Sequence, residues 1–335
     1  MLRRPDPVRN LNTKMTAQLR FRYGPPGQAL TLTQTDVPVP KDDEVLVRVR
    51  ASSVNPADWY TITGKPILVR MAGSGFFRPK SPLAGSDVSG LVASVGKGVK
   101  EFHVGDEVFG ICSGSYAEYV TVPEKDLALK PPNLSFEEAA TVPLAGLTAL
   151  QGVRTKGNLQ PGEKVLIHGA SGGVGTFAVQ IAKALGGTVT AVCNSDKVDL
   201  ARSLGADQVV DYNRQDFVQT DTKYNLVVGV NGRRRIGDYL RVLAPEGRCV
   251  FIGGTLRQGI GLLMFGKLRS SVRKGRLRSF IMSATKDDLM FLRQLLVDGK
   301  VKPVMDRNFS LSAVPSALEY LHAGHVRGKV SITVP

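Results

Sequence analysis

The stretch that decides the fold is 164-KVLIHGASGGVGTFAVQIAKALG-186, in which an apolar run leads into a glycine-rich turn and then into a helical pattern. The turn reads Ala170-Ser171-Gly172-Gly173-Val174-Gly175, which is the G-x-G-x-x-G pattern with alanine in its first position. Small residues there permit a tight turn, close approach of the backbone to a pyrophosphate, and packing of the helix on the strand. The helix N-terminus also offers free N–H groups to phosphates. The stretch therefore predicts a dinucleotide-binding βαβ unit.

The residues around this unit alternate between apolar runs typical of buried strands and patterns typical of helices. The strand-like runs are KVLIHGA, TVTAVC, QVVDY, YNLVVGV and RCVFIGG, and the helical patterns include residues 174–185 and DKVDLARSLG. Apolar strands that alternate with helices are typical of a parallel sheet that is covered on both faces. We therefore predict an α/β fold with a doubly wound parallel sheet of the Rossmann type for residues 146–285.

The residues before this region predict a different, mainly β domain. Residues 30–122 contain short alternating runs that are punctuated by glycine and proline. One of them, EVLVRVRASSV, ends in the turn-like pair Asn55-Pro56. A single helix is expected over residues 136–153, with Ser135 as its N-cap and Glu138 at the capping-box position. At the other end of the chain, a helix over residues 286–298 leads to the strand-like GKVSITV.

The composition is that of a globular protein, with 42% hydrophobic and 22% charged residues over 335 positions. No apolar run reaches transmembrane length. The cysteines Cys112, Cys193 and Cys249 lie far apart and form no C-x-x-C pair, which argues against a disulfide framework or a structural zinc cluster. We therefore expect a reducing, cytoplasmic environment. Residues 1–14 read as a flexible extension, and a mitochondrial targeting segment is the alternative because the stretch is basic.

The choice of cofactor depends on the residues that follow the second strand of the βαβ unit. A site for NAD places Asp or Glu there to accept hydrogen bonds from the ribose. This chain has Asn194, Ser195 and Lys197 instead, which suit a 2′-phosphate, although Asp196 lies among them. Tyr212 at the end of QVVDY is a further candidate contact, or simply a residue at the end of a strand. NADPH is therefore the expected cofactor.

Several ordered motifs resemble the medium-chain dehydrogenase/reductase family, and within it the zinc-independent quinone oxidoreductase branch. The similar segments include ASSVNPADWYTITG, SPLAGSDVSGLVASVGKGVKEFHVGDEVFG, HGASGGVG and the closing GKVSITV. The resemblance implies a GroES-like catalytic domain over residues 15–145 that is completed by residues 286–335. It also implies a Rossmann domain between these parts, and a homodimer.

The resemblance bears on metal binding as well. Zinc-dependent members hold the metal with two cysteines and a histidine, and these places align with Asn55, Ser86 and Ala145. None of the three is suited to zinc, so we expect no metal. Without a Lewis acid to stabilise an alkoxide, hydride transfer to a quinone or an α,β-unsaturated carbonyl is favoured over alcohol oxidation. An enoyl reductase of a lipid or polyketide pathway is the enzymatic alternative.

The same resemblance assigns the site residues. It places Asn55, Asp58, Tyr60 and Thr148 around the nicotinamide and the substrate, with Tyr60 either donating a hydrogen bond to the acceptor oxygen or only packing. It also places Ile252, Gly253 and Gly254 beside the carboxamide. Asn231 stands where relatives usually carry another residue, and either contacts the cofactor or is an irregularity.

A basic segment over residues 256–280 contains seven lysine and arginine residues and no acid, and it contributes much of the net charge of +15. The charges are interleaved with apolar residues, which fits either peripheral contact with an anionic membrane or a solvated helix that packs on its own domain. A membrane-peripheral protein that binds NADPH with little turnover is therefore the non-enzymatic alternative. Nucleic acid is not expected, because aromatic residues are few and no binding module is present.

Overall fold

The computed structural model describes residues 13–71, 75–230, 234–253 and 277–335. The chain forms two compact units. The first comprises Met1–Leu144, Ala284–Arg293 and Met305–Pro335, and the second comprises Ala145–Ser283 and Gln294–Val304. The stretch Gln294–Val304 is tied to the second unit because Gln180 exchanges hydrogen bonds with the backbone of Lys302. Of the basic segment, only residues 277–280 are described, so the predicted membrane contact lies outside the described residues.

Regular structure is distributed over both units. The strands are β1 (Lys14–Arg20), β2 (Leu30–Asp36), β3 (Glu44–Val54), β4 (Asp87–Val95), β5 (Glu107–Ile111), β6 (Tyr119–Pro123), β7 (Leu127–Leu129), β8 (Lys164–His168), β9 (Thr188–Cys193), β10 (Gln208–Asp211), β11 (Tyr224–Val230), β12 (Leu243–Ile252), β13 (Leu277–Ser279), β14 (Met305–Ser310) and β15 (Lys329–Thr333). The α-helices are α1 (Pro26–Ala29), α2 (Pro56–Thr63), α3 (Phe136–Ala140), α4 (Pro143–Leu150), α5 (Gly173–Ala184), α6 (Val198–Ser203), α7 (Ile236–Arg241), α8 (Lys286–Val297) and α9 (Val314–His322). Within the described ranges, no helix is both long enough and apolar enough to span a membrane.

The second unit confirms the predicted α/β fold. Its six strands are all parallel and follow the order β10-β9-β8-β11-β12-β13. From β8 the chain adds β9 and β10 on one side, and it then returns to add β11, β12 and β13 on the other side of β8. The strand order therefore reverses between β8 and β11. In open sheets of this kind, ligands bind at the carboxyl ends of the strands at that switch point.

The first unit is the predicted β domain, and the chain's C-terminal strands complete its sheet. The strand order is β14-β15-β3-β4-β5-β7, with β6 also paired to β3, while β1 and β2 form a separate hairpin. Strand β15 pairs antiparallel with β3, and β3 pairs antiparallel with β4. The start of β15, the end of β3 and the start of β4 therefore lie at one edge of the sheet.

Two local predictions were wrong in detail. The expected single helix over residues 136–153 is divided into α3, α4 and a π-helical turn, Gln151–Thr155. Pro143 explains the first break, because proline cannot donate a helical hydrogen bond and clashes with the preceding turn. The predicted Ser135 cap is confirmed, with Glu138 completing the capping box. Asn55 and Pro56, expected to form a turn, instead begin helix α2 as its N-cap and first residue.

Candidate active site

The glycine-rich turn connects β8 to α5 at the switch point of the parallel sheet. Gly169 has φ of 85°, and a Cβ on Gly175 would lie 2.0 Å from the Gly169 carbonyl oxygen. Glycine at position 175 thus lets the start of α5 pack directly on the turn. The N-cap of this 12-residue helix is Gly172, which provides no side-chain cap. The first-turn N–H groups therefore lack the usual side-chain acceptor, and their arrangement fits a dinucleotide pyrophosphate.

The predicted 2′-phosphate contacts lie where β9 and β10 end. Asn194 and Ser195 follow β9, and the Ser195 hydroxyl donates to the Asp211 carboxylate at 2.7 Å. The Asn213 amide donates to the side-chain oxygens of both Asn194 and Ser195. The structure therefore brings Asn194 and Ser195 together, but it adds a carboxylate that the sequence analysis missed. The aspartate in QVVDY could have indicated this carboxylate, because neighbouring parallel strands end at the same edge of a sheet.

Asp211 is ionised at neutral pH, since its pKa is lowered first by the Ser195 hydroxyl, and further by the Asn213 backbone N–H and by Arg214. Arg214 lies 3.5 Å from this carboxylate. The remaining two predicted contacts differ in accessibility. Lys197 is buried, with 8% exposure, whereas Tyr212 is 48% exposed. The Ser195 hydroxyl is thus held between the Asp211 carboxylate and the Asn213 amide, and the Lys197 side chain is largely buried.

The other residues predicted in this unit have mixed outcomes. Ile252 ends β12 and is buried, and Gly253 follows it with φ of 67°. Asn231 and Gly254 lie outside the described residues. His168, the last residue of β8, lies with its Nδ1 atom 2.6 Å from the Tyr239 hydroxyl. Burial lowers the pKa of His168 to about 4, so this imidazole is neutral at pH 7.

The first unit contains a buried polar network of seven residues at the edge where β15, β3 and β4 meet. Its members are Ser53, Asn55, Asp58, Ser86, Asp87, Tyr116 and Lys329. The two predicted residues Asn55 and Asp58 both belong to it. Asp58 accepts the Asn55 backbone N–H at 2.9 Å, which satisfies a free donor at the start of α2.

An ion pair between Lys329 and Asp87 lies at the centre of this network. The ammonium is 3.4 Å from Asp87 Oδ2, and the two side chains are 4% and 0% exposed. Asp87 also accepts from the Ser53 hydroxyl, the Asn55 amide and the Leu144 backbone N–H. Lys329 donates to Asn55 Oδ1 as well. Burial lowers the pKa of Lys329, whereas the nearby carboxylates of Asp87 and Asp58 raise it.

Asp58 is the second buried carboxyl group of the network. Its Oδ2 atom accepts from the Tyr116 hydroxyl at 3.0 Å, and its Oδ1 atom lies 2.7 Å from Ser86 Oγ. Burial is the main factor that raises the pKa of Asp58, and the charge of Asp87 adds to this effect. The hydroxyls of Ser86 and Tyr116 and the charge of Lys329 act in the opposite direction. Protonation of Asp58 is therefore easier than that of a solvent-exposed aspartate.

The remaining two predicted catalytic residues are not members of this network. Tyr60 is on α2 and is 42% exposed. Its neighbour Trp59 stacks on His322 with ring centroids 3.9 Å apart, which fixes α2 against α9. Thr148 is half-buried in α4 and belongs to the second unit.

The residues at the aligned zinc positions carry neither a thiolate nor an imidazole. The Asn55 amide is committed to Asp87 and Lys329, the Ser86 hydroxyl lies against Asp58, and Ala145 has no donor atom. Zinc in proteins is held by thiolate, imidazole and carboxylate ligands. No group of three or more such side chains suited to a metal is found in the described part of the chain.

This architecture, a GroES-like unit joined to a Rossmann unit, defines the medium-chain class of dehydrogenases and reductases, and comparisons agree. Residues 41–132 match the model of the alcohol dehydrogenase GroES-like domain, and residues 204–332 match that of a zinc-binding dehydrogenase. An NADPH-dependent alkenal/one oxidoreductase of Arabidopsis thaliana chloroplasts is 35% identical over 95% of this chain and 79% of its own length.

Solved structures give the same result. A quinone oxidoreductase of Coxiella burnetii has a TM-score of 0.84 and 31% identity, covering 96% of this chain and all of its own. The CurK enoyl reductase has a TM-score of 0.83 and 27% identity, covering 97% of this chain and all of its own. The chain belongs to the medium-chain dehydrogenase/reductase family, in its quinone oxidoreductase-like branch. It is an oxidoreductase, and a nicotinamide dinucleotide is the cofactor class that its glycine-rich turn fits.

Alanine at Gly175 and at Gly172 should have different effects. A Cβ at Gly175 meets backbone at 2.0 Å, so we expect Gly175→Ala to destabilise the free protein by about 1–3 kcal/mol. A Cβ at Gly172 meets only the Gly169 oxygen, at 3.8 Å, so Gly172→Ala should fold normally but bind the dinucleotide more weakly. Denaturant unfolding without cofactor, and cofactor titration, measure the two effects. If both variants have the same free energy of unfolding, the close packing at Gly175 does not explain why glycine stands there.

Removal of one partner of the buried ion pair should be costly. Lys329→Met leaves the Asp87 carboxylate without its cation, so we expect a loss of about 3 kcal/mol in the free energy of unfolding. The double variant Lys329→Met with Asp87→Asn removes both charges and should recover part of that loss. Denaturant unfolding of the three proteins tests this. A double variant less stable than the single one would show that the pair is not the dominant contact.

Proposed function

We propose that this chain is an NADPH-dependent reductase that delivers hydride to a quinone or an α,β-unsaturated carbonyl compound without zinc. The observation that carries this proposal is the buried polar network at the aligned zinc positions. The amide of Asn55, the hydroxyl of Ser86 and the methyl group of Ala145 stand there in place of thiolate and imidazole, and the amide is held by the ammonium-paired carboxylate of Asp87. Alcohol oxidation relies on a Lewis acid to stabilise the alkoxide. Reduction of a conjugated acceptor delocalises the negative charge and depends less on such a group.

The names of similar proteins support this substrate class. The Arabidopsis thaliana relative is described as acting on alkenals and alkenones, and the Coxiella burnetii protein as a quinone oxidoreductase. The nicotinamide would supply the hydride when bound, and the glycine-rich turn would hold its pyrophosphate. The exposed Tyr60 is retained as a candidate donor to the acceptor oxygen, and Thr148 as a candidate contact.

Reduction of an enoyl thioester is the second candidate function. The similarity to the CurK enoyl reductase over 97% of this chain favours it. The hydride chemistry is the same, because an enoyl thioester is also a conjugated carbonyl compound. The two candidates differ only in the group attached to the carbonyl, and an assay with both kinds of acceptor separates them.

The deciding assay follows NADPH oxidation with a panel of quinones, short enones and enoyl thioesters. We expect turnover on conjugated acceptors, none on simple ketones, and no change after treatment with a zinc chelator. The acceptor with the highest kcat/KM names the substrate class. Loss of turnover after chelation, restored by zinc, would overturn the zinc-free proposal. Turnover confined to simple ketones would overturn the substrate proposal.

The NADPH preference can be tested at the carboxylate beside Ser195. If Ser195 contacts the 2′-phosphate, the Asp211 charge repels that phosphate, and Asp211→Asn removes the repulsion while keeping an acceptor for the serine. The KM for NADPH should therefore fall severalfold, whereas that for NADH should change little. Asp36→Asn, at a side chain that is 81% exposed in the first unit, is the matched control. An equal fold-change in KM for both cofactors would contradict the assignment of Ser195 to the 2′-phosphate.

A further inference from the structure

The members of the buried polar network differ in their exposure to solvent. Of its seven described members, only Ser86 is not buried, while the exposure of the other members is at most 4%. Ser86 directly precedes β4, and its carbonyl oxygen accepts the Cys112 N–H at 2.9 Å, which fixes the backbone. Ser86 is therefore the member of this network that is most accessible from outside.

The direction of the Ser86 hydrogen bond depends on Asp58. Asp58 Oδ2 is already surrounded by three donors, namely the Asn55 backbone N–H, the Asn55 amide and the Tyr116 hydroxyl. A proton on Asp58 must therefore reside on Oδ1, which faces Ser86 Oγ at 2.7 Å. When Asp58 is ionised, Ser86 donates inward to Oδ1. When Asp58 is protonated, it donates to Ser86 Oγ, and the serine hydrogen is free to point outward.

We propose that Ser86 is a hydrogen-bond donor to the carbonyl oxygen of the acceptor, and that the carboxyl group of Asp58 positions it by turning its hydrogen outward. This inference rests on the proposed function. Hydride addition to the β-carbon of an enone moves an electron pair onto the carbonyl oxygen. Ser86 then stabilises the enolate oxygen without giving up its proton, and water supplies the proton that completes the product. A donor aimed at a developing oxyanion typically contributes a factor of about 100 to 1,000 in rate.

Several charged or titratable groups face Asp58 and set its protonation. They are Arg20 on β1, Asp87 on β4, Cys112 after β5, Tyr116 before β6 and Lys329 on β15. Burial raises the pKa of Asp58, and so keeps the outward-pointing state accessible at higher pH than a solvent-exposed aspartate would. Because the protonated form is the productive one, kcat should fall as the pH rises through the pKa of Asp58.

Asparagine at position 58 reproduces the protonated aspartate. The three donors around the Oδ2 position select the amide oxygen there, so the amide nitrogen faces Ser86 and donates to it at every pH. We expect the kcat of Asp58→Asn to stay constant between low and high pH, whereas the wild-type kcat falls over the same range. Ser86→Ala should lower kcat at least tenfold across the range. The exposed Ser316→Ala on α9 is the matched control and should behave as the wild type.

Stability measurements separate a positioning role from a structural one. The pKa of Asp58 is raised by folding, so its contribution to stability is present below the unfolded-state pKa and is lost as the pH rises through the folded-state pKa. Denaturant unfolding should therefore show the wild type losing stability relative to Asp58→Asn with increasing pH. If the difference in the free energy of unfolding between the wild type and Asp58→Asn does not change with pH, Asp58 is not the titrating group.

The rate measurements have three other decisive outcomes. An active wild type with an unaffected Ser86→Ala variant overturns this inference and leaves the proposed function standing. A wild type inactive on every acceptor overturns both. An Asp58→Asn variant that folds but is inactive at all pH values shows that Asp58 must transfer a proton, which also overturns the positioning role.

Discussion

The first unit depends on one contact between residues that are distant in sequence, the buried pair of Lys329 and Asp87, which are separated by 242 positions. Two charges removed from water are stable only when each is paired and hydrogen-bonded. Asp87 meets this condition with donors from β3 and from the start of α4, and Lys329 meets it with acceptors at the end of β3. The last strand of the chain must therefore pair at one register for the network to form.

The Lys329–Asp87 pair selects one register of β15 more than it adds to the free energy of unfolding. A buried ion pair gains little over well-packed apolar residues, but the loss of one partner is expensive. Any register of β15 that displaces Lys329 from Asp87 leaves both charges unpaired, and so is disfavoured. The polar residues in this unit consequently have two roles, because the contacts that align β15, β3 and β4 also fix the Asp58 carboxyl group with its Oδ1 atom against Ser86.

The part of the fold that depends on local sequence could be predicted, and the part that depends on distant pairs could not. The glycine-rich turn, the Rossmann strands and the Ser135 cap follow from patterns within a few residues, and the structure confirms them. The Asn55-Pro56 pair fits either a turn or a helix start. Asp58, three residues further on, favours the second as a capping-box residue, and the buried partners Asp87 and Lys329 then hold the Asn55 side chain. The segments that contain these two partners were visible in sequence, but nothing local indicated that they meet.

The two units thus use different physical means. The glycine-rich turn of the second unit relies on the absence of side chains, since Gly172 and Gly175 expose backbone N–H groups and permit close packing. The buried network of the first unit relies on side chains whose charges and hydrogen bonds are satisfied by one another. A metal ion would supply a fixed positive charge at such a place, independent of pH. A carboxyl group whose protonation controls a hydroxyl supplies a weaker donor, and this suits acceptors whose developing charge is already delocalised.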